Sequence, residues 1–176
     1  TFKALREGKL TFDQKLSVSK HATNVIPTKL WLKAGTTITV RQAVLGMVTK
    51  SANDAAVVVA EALARGSETN FATLMTQQAR LLGMSNTVFK NAHGLPNKAQ
   101  VTTARDMALL SMALYKDFPE YFKFFKEPKF AYNGHVHINH NRLLGKIPGL
   151  DGIKTGFINA SGFNLAASVV RDNRRI

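Results

Sequence analysis

The sequence predicts a mixed α/β chain of the α+β kind, with helices and an antiparallel sheet in separate stretches, on three observations. Capped helical patterns fill most of residues 39–125, and strand and turn signals fill residues 130–176. The composition is that of one globular unit: 176 residues, 45% hydrophobic and 20% charged. A chain of that length can bury roughly 70% of its unfolded surface, enough for a core of its own.

Residues 1–9 carry Phe2 and Leu5 three apart and Gly8 where a helix would end, so they read as the last turns of a helix. Residues 10–32 are mixed and partly extended, punctuated by Asp13 and Pro27. Thr39 is placed to cap a helix over 39–50, with Val40, Val44, Leu45 and Val48 on one face. A second helix over 54–65 is apolar almost all round and should be buried. The short polar link Ser51-Ala52-Asn53 lies between these two. A helix over 70–82 opens near Ser67 and closes at Gly83, and another over 104–115 is capped by Thr103 with Asp106 in its first turn. Pro119 starts a short aromatic helix over 120–125. Asn133-Gly134 marks a hairpin within 130–139, a strand runs over 163–170, and Asp172-Asn173 turns into a further strand.

Charge and composition narrow the classes of partner. Twenty-four Lys and Arg against 11 Asp and Glu leave a formal charge of +13, which attracts anionic polymers and carboxylates. The cations are scattered singly, and no helix-turn-helix, zinc-finger or RNA-binding signature accompanies them, so no nucleic acid is expected as partner. The chain has no cysteine, which excludes disulfides and thiolate metal sites. No apolar run is long enough to span a bilayer, and no signal peptide opens the chain. His135 and His137 form an H-x-H pair with His140 nearby, but no carboxylate or cysteine completes a metal site, so they read as strand histidines.

The candidate chemistry sits in residues 149–164, G-L-D-G-I-K-T-G-F-I-N-A-S-G-F-N. On a strand, Lys154 and Gly156 share one face and Thr155 takes the other. The Lys154 ammonium and Thr155 hydroxyl can hold a carboxylate by charge-assisted hydrogen bonds, and Gly156 lets a ligand backbone approach. Taken alone, K-T-G is also compatible with a solvated turn. Ser17-Val18-Ser19-Lys20 matches an S-x-x-K pattern, which supplies a nucleophile and its base only from the first turn of an apolar helix. Pro27 and the polar residues before it argue against such a helix, so Ser17 and Lys20 read as solvated strand or loop.

S-A-N and K-T-G occur in order with F-K-N-A-H-G-L-P, N-H-N-R-L-L and G-L-D-G-I-K-T-G-F-I-N-A-S-G-F-N-L. With these motifs the whole chain resembles the D-alanyl-D-alanine carboxypeptidases, low-molecular-mass penicillin-binding proteins of the serine peptidase S11 family. The resemblance implies a β-lactamase/transpeptidase-like fold, an antiparallel sheet flanked by helices beside an all-helical region. It implies removal of the terminal D-alanine from peptidoglycan stem peptides through an acyl-enzyme, acylation by β-lactams, no cofactor, and an exported, periplasmic or cell-envelope location. Ser51 would relay a proton to the leaving amine, and Asn53 would orient the base and bind a substrate amide. Lys154 and Thr155 would bind the terminal carboxylate, Gly156 would leave room for it, and the Phe157 N–H would be an oxyanion donor. His140 would either assist carboxylate binding when protonated or stand at the rim.

The family's S-x-x-K helix is expected upstream of Thr1. On that expectation residues 1–176 are a partial catalytic domain, truncated at both ends, without nucleophile or general base and inactive alone. Membrane contact would come only through segments outside this sequence. Two other readings of the same residues are a β-lactamase or β-lactam sensor on the same fold and a non-enzymatic basic module for anionic polymers.

Overall fold

The computed structural model describes residues 1–176. Helix α1 (Phe2–Arg6) buries Phe2, Ala4 and Leu5 and closes at Gly8, whose φ of +69° suits glycine. Strand β1 (Lys15–Ser17) pairs antiparallel with β2 (Thr37–Thr39), setting buried Leu16 opposite buried Ile38. Between them lies α2 (Lys20–Thr23), a single turn capped by Ser19, whose Oγ accepts from the Ala22 N–H at 3.0 Å. The S-x-x-K segment is therefore a strand end followed by a capped turn, not plain strand or loop throughout. Ser17 and Lys20 are both exposed.

Helix α3 (Val40–Leu45) starts at the N-cap predicted for Thr39, and the cap is a full capping box: the Thr39 hydroxyl accepts from the Gln42 N–H while the Gln42 side-chain Oε1 accepts from the Thr39 N–H. The continuous α-helix expected over 39–50 is not formed. From Gly46 to Lys50 the chain widens into a π-helical turn, which ends on Ser51 in the left-handed region at φ +56°. The wider turn adds a residue before the chain leaves the helix and so changes the direction in which Ser51 and Ala52 emerge. Leu30 occupies the space where a Gly46 side chain would lie, its Cδ1 2.6 Å from an ideal Cβ position. Helix α4 (Asn53–Leu63) comes next, with residues Asn53 to Ala60 all buried.

Helix α5 (Glu68–Leu81) is capped by Ser67, and Val88 bridges Val101 in the loop region beyond it. Helix α6 (Ala104–Asp117) carries Asp106 inward. Its carboxylate accepts from the Thr87 hydroxyl at 2.7 Å and the Asn86 N–H at 2.9 Å, and the Thr87 bond leads in holding it below the usual carboxylate range. The predicted short helix over 120–125 divides into α7 (Pro119–Phe122) and a 3-10 turn (Lys123–Lys126).

Strands β3 (Lys129–Tyr132) and β4 (His135–Ile138) form the predicted hairpin, turning at Asn133 and Gly134, both at positive φ. The main sheet is antiparallel in the order β5-β6-β7, with β5 (Leu150–Ile158), β6 (Gly162–Arg171) and β7 (Arg174–Arg175). Its buried end meets the aromatic turn: Gly152 leaves room for Phe122 and Phe125, and Arg175 stacks 3.8 Å from the Tyr115 ring centroid. Arg175 also makes a bidentate pair with Asp151, both contacts 2.8 Å. Phe2 and Phe12 join Tyr121, Phe124 and Phe125 in one aromatic cluster. That cluster fixes β5 against the helices.

Candidate active site

Two segments 103 residues apart in sequence meet here. The π-turn delivers Ser51 in a left-handed conformation that costs a non-glycine residue roughly 1–2 kcal/mol. Strand β5 delivers Lys154, whose Nζ donates to the Ser51 Oγ and, at 3.1 Å, to the Thr155 carbonyl. Such a backbone strain is sustained only by surroundings that over-determine it. Here the Asn53 N–H donates to the Thr28 carbonyl at 2.8 Å, the Ala52 N–H to the Gly46 carbonyl at 3.2 Å, and the Thr49 hydroxyl to the Leu45 carbonyl at 2.7 Å.

Lys154 stands on the wall of an apolar cavity of about 460 Å³ that Phe2, Val44, Val48, Leu114 and Phe118 also line. Burial against that wall pulls its ammonium down to a pKa of about 8. No carboxylate forms an ion pair with it. The site therefore presents a partly desolvated cation and a hydroxyl in contact, ready for an anionic ligand that would restore the full charge.

Thr155, Gly156 and Phe157 continue the strand in regular register opposite Leu165, Asn164 and Phe163. The predicted alternation holds, with Lys154 and Gly156 on one face and Thr155 and Phe157 on the other. A Cβ at Gly156 would meet nothing within 4 Å, so the space beside it is open. Strand β5 is at the sheet edge, leaving backbone groups along its outer side without a strand partner. Phe157 and Phe163 are exposed and packed on each other at 4.5 Å between centroids.

His140 reaches the same region because asparagines on either side are buried. The Asn139 Nδ2 donates to the Glu127 carbonyl at 2.9 Å, and its Oδ1 accepts from the Asn141 N–H at 2.8 Å. The Asn141 Nδ2 donates to the Gly152 carbonyl at 3.3 Å, tying this loop to β5 two residues before Lys154. The His140 N–H donates to the Thr49 carbonyl at 3.2 Å. Desolvation, then the charges of Lys154, Lys50 and Arg142, hold its imidazole below the ordinary histidine range, which favours the neutral ring.

The structure thus brings Ser51, Lys154 and His140 together, with Asn53 buried two residues after Ser51 and with Thr155, Gly156 and Phe157 running on from Lys154. It does not bring Ser17 and Lys20 there. The neighbouring Ser19 Oγ donates to Glu61 at 3.0 Å, eight residues and about 12 Å along α4 from Asn53. Sequence reading missed Asp54, whose buried carboxylate accepts from Leu30 and Leu32, and the stapling roles of Asn139 and Asn141. The acidic residue directly after S-A-N and the asparagines on either side of His140 were the available signals. His93 of H-G-L-P lies away from this site, its ring paired with Glu68 at 3.2 Å and accepting from the Leu95 N–H.

Known proteins resemble this chain along its whole length. The Peptidase S11 family model, described as D-alanyl-D-alanine carboxypeptidase, matches residues 1–176. D-alanyl-D-alanine carboxypeptidase DacA of Escherichia coli (strain K12) is 39% identical over 148 residues, 84% of this chain and 36% of that protein. The crystal structure of D-alanyl-D-alanine carboxypeptidase DacD from Francisella tularensis superposes with a TM-score of 0.95 at 29% identity, covering 99% of this chain and 55% of that one. Penicillin-binding protein D2 from Listeria monocytogenes in its ampicillin-bound form superposes at 0.85 with 32% identity, covering 98% and 70%. The chain spans about a third of the length of DacA and about half that of DacD.

Proposed function

The chain belongs to the D-alanyl-D-alanine carboxypeptidase family, and on that premise we propose that its S-A-N and K-T-G segments face each other across a serine acyl-transfer cleft. The substrate is a peptidoglycan stem peptide ending in D-alanyl-D-alanine, and β-lactams compete for the same cleft. The observation that carries the reading is the contact between Lys154 Nζ and Ser51 Oγ, which joins the two motifs across the chain.

In this reading the Lys154 ammonium and Thr155 hydroxyl take the terminal carboxylate, and the open space at Gly156 admits the substrate backbone. A serine oxygen attacks the penultimate D-alanine carbonyl, its proton passes by way of Ser51 to the departing amine, and the C–N bond breaks to release D-alanine. Water then hydrolyses the ester. The Phe157 N–H stabilises the oxyanion, a donor typically worth about 3–4 kcal/mol in such sites. Asn53 orients the base and binds a substrate amide. His140, neutral at pH 7, offers a ring N–H at the rim. The attacking serine and its lysine base belong to an S-x-x-K pair, and Ser17 and Lys20, both exposed on a strand end and a capped turn, do not fit that role.

Peptidoglycan lies outside the cytoplasm, so the reading places the protein in the cell envelope. No helix of the chain is long and apolar enough to cross a membrane. Fluorescent penicillin and release of D-alanine from a pentapeptide test the reading. The full-length protein is expected to take the label covalently and to release D-alanine, and the 176-residue chain alone to take none. Rapid penicillin hydrolysis by the full-length protein without D-alanine release would move the assignment to a β-lactamase. Labelling of the 19.3 kDa chain itself would return Ser17 to contention.

A further inference from the structure

The chain's single tryptophan, Trp31, is 70% exposed, and it holds a left-handed backbone at φ +61°. A bulky aromatic side chain rarely adopts that conformation, and a large exposed indole gains little from burial. The surrounding chain enforces the arrangement. The Asp54 carboxylate, fully buried at the start of α4, accepts from the Leu30 N–H at 3.0 and 3.1 Å and from the Leu32 N–H at 3.1 Å. Gripping the amides on both sides of Trp31 turns Leu30 and Leu32 into the core and the indole out to solvent.

The ring is also prepared on one face. Lys29 is buried, its Nζ donates to the Thr23 carbonyl at 2.8 Å, and the same ammonium lies 4.6 Å from the indole centroid. One face of the ring is therefore covered by a fixed cation and the other is open. The loop stands beside the S-A-N segment, through the bond from the Asn53 N–H to the Thr28 carbonyl at 2.8 Å and through Leu30 against Gly46. A rigid, amphipathic, outward-facing indole held there at a cost in backbone strain is a contact surface for a ligand.

We propose that Trp31 is a stacking platform for a pyranose ring, so that the S-A-N side of the cleft engages the glycan strand as well as the stem peptide. A hexosamine offers a flat face of C–H groups to the open side of the indole and hydroxyl and amide groups to the water beyond. The positive edges of those C–H bonds suit the negative ring face. The inference rests on the peptidoglycan reading above for its choice of polymer, since stem peptides are carried on N-acetylated hexosamines.

The test is chosen to separate the two. Trp31 emission in the full-length protein, isolated as the difference from a Trp31→Phe variant, is followed on titration with chitotetraose and with a sugar-free acyl-D-Ala-D-Ala peptide. A saturable blue shift with the oligosaccharide and none with the peptide is expected. Trp31→Gly removes the indole while relieving the strained φ, so it should melt no lower than the parent. Its retention on purified sacculi, and its ratio of turnover on glycan-linked to sugar-free substrate, should fall about fivefold to tenfold. Emission unmoved by chitotetraose, or Trp31→Gly losing both substrates equally, would overturn the platform. Penicillin labelling without an emission response removes only the platform, whereas a response without labelling removes only the enzymatic reading.

Discussion

Lys154 is the residue on which most of the site depends, because one ammonium serves both the Ser51 hydroxyl and the space where a carboxylate would sit. Its pKa of about 8 comes from burial beside the apolar cavity. Affinity for a carboxylate ligand should therefore decline as pH rises through about 8, and the rate of acylation by benzylpenicillin in the full-length protein should show that alkaline limb. The linked effect on stability has the opposite sign. Between pH 8 and the ordinary lysine value of 10.5 the unfolded chain holds a proton that the folded chain has lost, so this group makes folding more favourable as pH rises through that window. Lys154→Ala should lower acylation about tenfold to a hundredfold, the range for a lost charge-assisted hydrogen bond. Gly156 gives a complementary test. An added methyl meets no atom of the protein, so Gly156→Ala should melt within about 0.5 kcal/mol of the parent yet acylate more slowly. Unchanged acylation would place the substrate backbone elsewhere.

At the level of elements, β5 and the π-turn carry the site and each depends on a glycine. Gly149 combines φ +78° with a Cβ position 2.0 Å from the Val170 carbonyl oxygen, a backbone atom that the hairpin hydrogen bonds hold in place. Gly149→Ala should cost about 3 kcal/mol or more, read as a lower denaturant midpoint, and should loosen β5 from β6 before it affects α4. The π-turn shows which part of an element is legible in sequence. Thr39 and Gln42 are a local capping signal three residues apart, and the helix start was readable from them. At Gly46, where the turn widens, the side-chain space is filled by Leu30, sixteen residues earlier, and the Gly46 carbonyl accepts from the Ala52 N–H, contacts that no periodicity within 39–50 announces. The division of the aromatic helix into α7 and a 3-10 turn escaped a local reading in the same way.

For the whole molecule, the formal charge of +13 is little compensated by internal pairing: Lys50, Lys154 and Arg142 around the site form no ion pair with a carboxylate. Retention of the 176-residue chain on anionic sacculi should therefore weaken with salt. Raising ionic strength from about 0.01 M to about 0.1 M shortens the screening length from about 30 Å to about 10 Å. Cosedimentation across that range checks it, and a salt-independent result would assign retention to the cleft and Trp31 alone. The aromatic cluster of Phe2, Phe12, Tyr121 and Phe124 joins the first twelve residues to α7 and the 3-10 turn that follows it.

By itself the sequence determined the α+β class, the caps and turns that bound most elements, and the family, because those depend on neighbouring residues and on motifs in fixed order. It also put Lys154, Thr155 and Gly156 in succession on a strand, where an ammonium, a hydroxyl and a missing side chain suit a carboxylate, and left a solvated turn as the other reading of those three residues alone. Only the tertiary structure decided that Lys154 meets Ser51, that two buried asparagines carry His140 to them, and that Asp54 turns Trp31 outward. Those are contacts between faces of separate elements. Side-chain periodicity says that an element has an inner face, while core packing selects which other face it meets.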